Sequence, residues 1–310
     1  VVSAVRLEVK HVFKRMGGIQ VLNDINLSLG EREIKVILGA SGSGKTTILN
    51  IISGIIRPDR GSVFKDGVDI TDLDINRRNI GFVFQDLGLF FSMTAAENIA
   101  YGLRIRGLGL DDIDRRVKEM AEIFSIRDKL TSYPSQLSGG EKQRVALART
   151  LITDPNLILM DEPLSSLDSF HRNDIRWYIR DIPSKFDVSI LYVTHDIQDA
   201  EIIADSIAIL SDGSIIEDGT KSEILEGPKH LQTARILGYN IFEMGGTTYA
   251  IHPAKIIIGG PVAFKIIHEE RGIWNNYLIE TEFGRMFMIT DRKINGKEGI
   301  SLSRAVPISR

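Results

Sequence analysis

The sequence predicts an α/β domain with a largely parallel sheet over about residues 5 to 230, interrupted by an all-helical insertion and followed by a small all-β domain. Three observations carry this prediction. First, the apolar runs Ile34–Leu38, Asn79–Phe84, Leu157–Met160, Ser189–Thr194 and Ser206–Leu210 alternate with amphipathic helical stretches, and several are continuously apolar, as suits strands covered on both faces. Second, the pattern between Phe90 and Ser138 is wholly helical: Ile113, Val117, Met120, Ala121 and Phe124 share one stripe behind the acidic start Asp111-Asp112. Third, after about Gly238, short runs such as Val262–Ile267, Tyr277–Thr281 and Met286–Ile289 lie between Gly245-Gly246, Gly259-Gly260, Asn275-Asn276, Gly284 and Asn295-Gly296. That spacing predicts a small, OB-like barrel of roughly 70 residues. The expected domains are therefore 1–237, with a helical subdomain at about 88–150, and 238–310.

Composition narrows the function. With 310 residues, 43% hydrophobic and 25% charged, the chain has enough apolar content for full cores. A net charge of −3 and a pI near 6.1 provide no basic field, which argues against nucleic acid as a partner. The absence of cysteine excludes disulfides and thiolate metal sites. No apolar run approaches the ~18 residues of a membrane span and no signal-peptide core opens the chain, so membrane work would need another chain to cross the bilayer.

The junction after Ile34–Leu38 carries the first chemistry. Gly39, Ala40, Ser41, Gly42, Ser43, Gly44, Lys45, Thr46 and Thr47 contain the pattern G-x-x-x-x-G-K-T between an apolar strand and the helix-like stretch Thr47 to Ser53. The glycines let backbone N–H groups turn inward, and the following helix presents its positive end to phosphates. Lys45 is then placed to bridge the β- and γ-phosphates, and the Thr46 hydroxyl to coordinate Mg²⁺.

A second strand, Leu157–Met160, ends in Asp161-Glu162, the form of a Walker B segment. It would deliver Asp161 to Mg²⁺ and Glu162 to an attacking water, which it can orient or deprotonate. In Leu137-Ser138-Gly139-Gly140-Glu141, Ser138 and Glu141 form an S-x-x-E capping box ahead of the helical Lys142 to Ile152. The same bare N–H groups beside the Ser138 hydroxyl favour a phosphate, so the cap and the binding surface are compatible.

The ordered set of P-loop, Gln85, Leu137–Glu141, Leu159–Pro163, Ser165-Ser166-Leu167-Asp168 and Val193-Thr194-His195-Asp196 resembles the nucleotide-binding subunit of an ATP-binding cassette (ABC) transporter over about residues 5 to 230. The resemblance implies a P-loop NTPase fold and Mg²⁺-ATP hydrolysis. It also implies a head-to-tail homodimer in which each P-loop faces the other copy's Ser138, Gly139, Gly140 and Glu141. By the same resemblance His195 contacts the γ-phosphate, Gln85 senses Mg²⁺ and the attacking water, and Asp168 couples the two sites. The apolar Leu87–Phe91 falls where the family accepts a short permease helix, although local packing explains it equally well.

Three positions depart from the family pattern. Met16 stands where an aromatic ring usually stacks on adenine, with Phe13 as the alternative contact. Glu141 replaces a common Gln and is read as completing the capping box. Ser166 occupies a position often filled by Ala.

A single cassette with a C-terminal β-domain is similar to the ATPase subunits of binding-protein-dependent importers for sugars, polyamines, metals and oxyanions. The resemblance implies integral membrane permease subunits, an extracytoplasmic solute-binding protein and a peripheral location on the cytoplasmic face of the membrane. An exporter or lipid-release ATPase is the alternative, and a soluble mechanical ABC ATPase a more distant one. His252 stands where Arg is common in the β-domain. With Trp274 and Arg285 it is a conceivable ligand contact, but no spacing selects a ligand.

Overall fold

The structure, a computed structural model, describes residues 5–309 apart from Ser166, Asp168, Ile273, Asn295 and Lys297. The chain divides into two units, Val1–Ile215 and Ile216–Arg310.

The first unit opens with the hairpin strands β1 (Val5–Met16) and β2 (Ile19–Gly30), then β3 (Ile34–Leu38), helix α1 (Lys45–Ser53), β4 (Arg60–Lys65), β5 (Val68–Asp69) and β6 (Ile80–Val83). The helices α2 (Ala95–Ile105), α3 (Leu110–Ile123) and α4 (Gly139–Leu151) follow. The unit continues through β7 (Leu157–Asp161), α5 (Ser169–Phe186), β8 (Ser189–Thr194), α6 (Ile197–Ile203) and β9 (Ser206–Ser211), and β10 (Ser214–Thr220) leads out of it.

The five apolar runs read from the sequence become parallel strands in the order β9-β3-β8-β7-β6. Their register aligns Leu38 with Thr194 and Asp161 with Val193, so the chain leaves β3, β7 and β8 at one edge of the sheet. Ligands of open parallel sheets bind beyond such carboxyl ends.

One expectation is corrected at the N-terminus. Within the first 70 residues only β3 and α1 follow the strand-then-helix pattern; the strands on either side of them form an antiparallel sheet ordered β2-β1-β4-β5. The reason lies in the pattern of period near two. Leu7, Val9 and Val12 in β1 and Leu22, Ile25, Leu27 and Leu29 in β2 are buried while their neighbours are not, which suits a sheet with one covered face. That face shares a core with Ile48, Leu49, Ile51 and Ile52 of α1 and with Leu157, Leu159, Leu191 and Val193 of the parallel sheet. The helix after the glycine loop is thus packed against both sheets. Its last turn is held by buried Arg78, whose Nη1 donates to the carbonyls of Ile51 at 2.9 Å and Ile52 at 2.8 Å.

The helical insertion follows its sequence pattern. Thr94 caps α2 in a capping box with Glu97, and Ile113, Val117, Met120 and Ala121 form the buried stripe of α3. Phe124, expected on that stripe, is buried as the residue closing the helix.

In the second unit the short helices α7 (Lys221–Glu226) and α8 (Leu231–Ile236) precede β11 (Asn240–Met244), β12 (Thr247–Ile251), β13 (Ile257–Val262), β14 (Phe264–Glu270), β15 (Asn275–Thr281), β16 (Gly284–Thr290), β17 (Ile300–Ser301) and β18 (Val306–Pro307). The all-β character is as expected. Among the described residues, however, hydrogen bonding makes three small sheets, β11-β12-β18, β13-β17 and β14-β15-β16, and not one closed barrel ladder. They enclose a single core of Phe242, Ile251, Phe264, Tyr277, Ile279, Met288 and Ile300. The expected run Val262–Ile267 is split between β13 and β14. In β13, Gly259 at φ +94° accompanies a register shift between Ile258 and Val262, which interrupts the ladder. Asn240 ties two of the sheets, its amide accepting from the Phe287 N–H and donating to the Phe287 carbonyl, each at 2.7 Å.

Candidate functional site

The glycine loop is built for close approach. Gly44 caps α1 at φ +106° and Gly42 lies at φ +81°, left-handed values that glycine adopts without penalty. A Cβ on Gly39 would sit 2.5 Å from the Leu210 carbonyl. The helix begins at Lys45, two residues before the start read from the sequence, so its first free N–H groups belong to the loop itself. The Ser43 hydroxyl is buried without a hydrogen-bond partner. Lys45 is only 5% exposed; its Nζ donates to the carbonyls of Gly39 and Ala40, each at 3.0 Å, and lies 3.4 Å from Glu162 Oε1.

Beside the loop the Thr46 hydroxyl donates to Asp161 Oδ1 at 3.2 Å. Burial pushes the Asp161 carboxyl above its ordinary range; the Thr46 hydrogen bond and Lys45 oppose the shift, and the Glu162 charge adds to it. A hydroxyl and a carboxylate oxygen this close are the hard donor set that Mg²⁺ takes from protein, with phosphate oxygens and water completing six ligands. Among the described residues no group of three or more His, Cys, Asp or Glu is arranged to hold a metal ion. These residues fit Mg²⁺ and a nucleotide phosphate chain.

Glu162 follows β7 with φ +42°, a left-handed conformation uncommon for any residue that carries a Cβ. Its N–H donates to the Val193 carbonyl at 3.0 Å, and its own carbonyl accepts from Ser165 N–H at 3.1 Å and Ser165 Oγ at 2.9 Å. So fixed, its carboxylate has one oxygen 3.4 Å from Lys45 and the other 2.9 Å from His195 Nδ1. A cleft of ≈ 270 Å³ lined by Val21, Ser41, Gly42, Gly44, Lys45, Thr46, Thr47, Gln85 and Glu162 opens over these groups. Exposed Gln85 also borders Asp161 on a neighbouring surface with Phe84, Asp86 and Ser165.

The family model described as ABC transporter matches residues 22–165. The sulfate/thiosulfate import ATP-binding protein CysA of Mesostigma viride is 41% identical over 231 residues, covering 74% of this chain and 66% of that protein. The Fe(3+) ions import ATP-binding protein FbpC 1 of Pectobacterium atrosepticum is 38% identical over 259 residues, covering 83% of this chain and 74% of its own length. The chain belongs to the ABC transporter family. It is also similar to the ATP-binding cassette MJ0796, solved as a dimer in a post-hydrolysis state bound to ADP and Pi, with 34% identity, a TM-score of 0.63, and coverage of 69% of this chain and 98% of that one.

Not every sequence-selected residue of this ABC chain gathers at the cleft. Ser138, Gly139, Gly140 and Glu141 form the capped start of α4 and do not line it. The Ser138 N–H donates to the Glu141 carboxylate at 2.8 Å, and this bond, more than the nearby Lys129, holds the Glu141 carboxyl below its usual range. Asp168 and Ser166 lie outside the described residues. Met16, half exposed at the end of β1, and Phe13 do not line the cleft, whereas Val21 does, with its carbonyl 3.1 Å from where a Gly44 Cβ would stand. The segment Leu87–Phe91 divides: Leu87 and Leu89 are buried, while Phe91 is 73% exposed. In the β-rich unit of this ABC chain, His252 accepts from Ala254 N–H, Trp274 is exposed and Arg285 lies 3.8 Å from Glu280.

Sequence reasoning missed a polar network behind His195. Arg176, 2% exposed, donates to Asp199 Oδ1 at 2.7 Å and Asp196 Oδ2 at 2.9 Å. Asp199 Oδ2 accepts from the Tyr192 hydroxyl and from Thr194 Oγ1, each at 2.9 Å. Burial, reinforced by the Asp199 charge, pushes the Tyr192 phenol well above its ordinary range, so it remains a donor. The available signal was a pair of arginines at i and i+4, Arg172 and Arg176, with aspartates at i and i+3, Asp196 and Asp199.

Proposed function

We propose that the chain is the ATP-hydrolysing subunit of a binding-protein-dependent ABC importer, with an ATPase domain at 1–237 and an accessory β-domain at 238–310. The reading rests on one observation: Lys45, Glu162 and His195 form a continuous polar line, with the Thr46–Asp161 oxygen pair beside it.

In this mechanism the N–H groups of Ser41 to Thr47 cradle the phosphate chain and Lys45 exchanges its loop carbonyls for β- and γ-phosphate oxygens. Thr46 and Asp161 would hold Mg²⁺, with Gln85 lining the same cleft. When bound, Mg²⁺ neutralises charge on the transferring phosphoryl group. Glu162 takes the proton of the attacking water, and His195 keeps that carboxylate aimed while contacting the γ-phosphate. Met16 is proposed against adenine, and Val21 lies at the cleft wall.

In a head-to-tail dimer, the α4 start of one copy, Ser138 to Glu141, faces the phosphate loop of the other, and Asp168 couples the two sites. No helix of the described residues is long and apolar enough to cross a membrane, which accords with separate permease subunits and a peripheral position at the cytoplasmic face. The import-protein names of the relatives favour uptake of a solute delivered by an external binding protein.

Phosphate release from Mg²⁺-ATP by wild-type protein and by Glu162→Gln is the test. The variant should bind ATP normally and turn over about 10²- to 10⁴-fold more slowly. Robust hydrolysis by Glu162→Gln would refute the assigned base.

A further inference from the structure

The turns after β7 and β8 carry Glu162 and His195, and their alignment needs something to bridge them. Arg172, near the start of α5, does so. Its Nε donates to the Leu167 carbonyl at 2.8 Å, its Nη2 to the Ser165 carbonyl at 3.4 Å, and its Nη1 lies 3.6 Å from Asp196 Oδ2. Ser165 is the residue whose N–H and hydroxyl both bind the Glu162 carbonyl, and Asp196 directly follows His195. Asp196 is fixed on its other side by Arg176 at 2.9 Å, and its N–H donates to Thr194 Oγ1 at 3.0 Å. The backbone on both sides of His195 is therefore pinned, while the ring itself is more than half exposed.

We propose that Arg172 is a positioning residue for the Glu162–His195 pair, its planar fork locking the carboxylate turn to the histidine turn. The proposal deepens the ATPase reading and rests on it. A polar cavity of ≈ 60 Å³ lined by Glu162, Ser165, Arg172, Thr194, His195 and Asp196 lies between the two turns, so without the fork they have room to shift. Among the described residues, the contacts that hold the phosphate loop do not include Arg172. Its loss should therefore affect turnover and not nucleotide binding. Lysine keeps the charge but cannot hold two carbonyls and a carboxylate in one plane.

The test uses Arg172→Ala and Arg172→Lys in the full chain, alone and combined with His195→Ala. Phosphate release, directly measured Mg²⁺-ATP affinity and the unfolding midpoint are followed. A displacement of the pair should lower kcat by about 10- to 100-fold in Arg172→Ala with ATP affinity little changed, and less in Arg172→Lys. On the His195→Ala background the same substitution should change single-turnover rates by less than about threefold, because residues acting as one unit are not additive. Equal loss on both backgrounds, a loss confined to ATP affinity, or full activity in both variants would overturn the proposal. A wild-type protein without Mg²⁺-ATP hydrolysis would instead overturn the ATPase reading. Arg172→Lys retains the ion pair, so it remains informative should Arg172→Ala fail to fold.

Discussion

His195 Nδ1 lies 2.9 Å from Glu162 Oε2, joining residues that are 33 positions apart in sequence and leave neighbouring parallel strands. In the Nδ1–H tautomer the ring donates to the carboxylate and fixes its direction without neutralising it. The His195→Ala variant should keep ATP affinity within a few-fold and lose about 10²-fold or more in kcat, read from phosphate release alongside equilibrium nucleotide binding. Wild-type turnover in that variant would remove His195 from the mechanism.

Asp161 gives a pH-dependent prediction. Its folded-state pKa is raised above 3.8, chiefly by burial, so the native state binds its proton more tightly than the unfolded chain. The sign follows: the penalty for burying the charged form is absent below the unfolded pKa and fully present above the folded pKa. Without nucleotide, Asp161→Asn should therefore gain stability over wild type at neutral pH, and the gain should vanish as pH falls through the carboxylate range. The same variant should lose Mg²⁺-dependent turnover. Thermal unfolding across pH in the presence of a chelator checks the first part.

Gly39→Ala tests the close approach of the phosphate loop to β9. The new methyl would meet the Leu210 carbonyl, a backbone group that cannot rotate aside, so the loop must move. Stability should fall by about 1–3 kcal/mol, and nucleotide affinity by about tenfold or more. Unchanged affinity would show that the loop tolerates the shift.

Arg78 offers a test remote from the chemistry. Besides the two α1 carbonyls, it donates to Leu73 at 2.9 Å and Thr71 at 2.8 Å, four backbone acceptors in all. Methionine can fill much of the space but donates nothing, so Arg78→Met should lose about 3 kcal/mol in denaturant unfolding. ATP affinity should fall with it if α1 loosens. A variant as stable as wild type would show that water replaces the guanidinium.

Several features were legible in the sequence because each depends on a few adjacent residues. The glycine spacing around Lys45, the capping box at Ser138, the abrupt Asp161-Glu162 end of an apolar strand and the stripe from Ile113 to Ala121 all encode local conformation or a single buried face. The family pattern then assigned His195 and Gln85, which local physics alone would have left as ordinary surface residues. The β-rich unit was legible only as a class, since glycine pairs mark turns but do not say which strands will pair.

Tertiary structure decided the rest. The register of β3, β7 and β8 brings Gly39, Glu162 and His195 to one sheet edge, and it is set by burial on both faces across more than 150 residues of chain. The left-handed φ of Glu162, the place of Val21 in the cleft wall and the Arg172 bridge all arise at contacts between distant segments. Short-range periodicity and turn chemistry specify which elements form. Only their packing, where apolar burial selects one alignment among many, specifies which side chains meet.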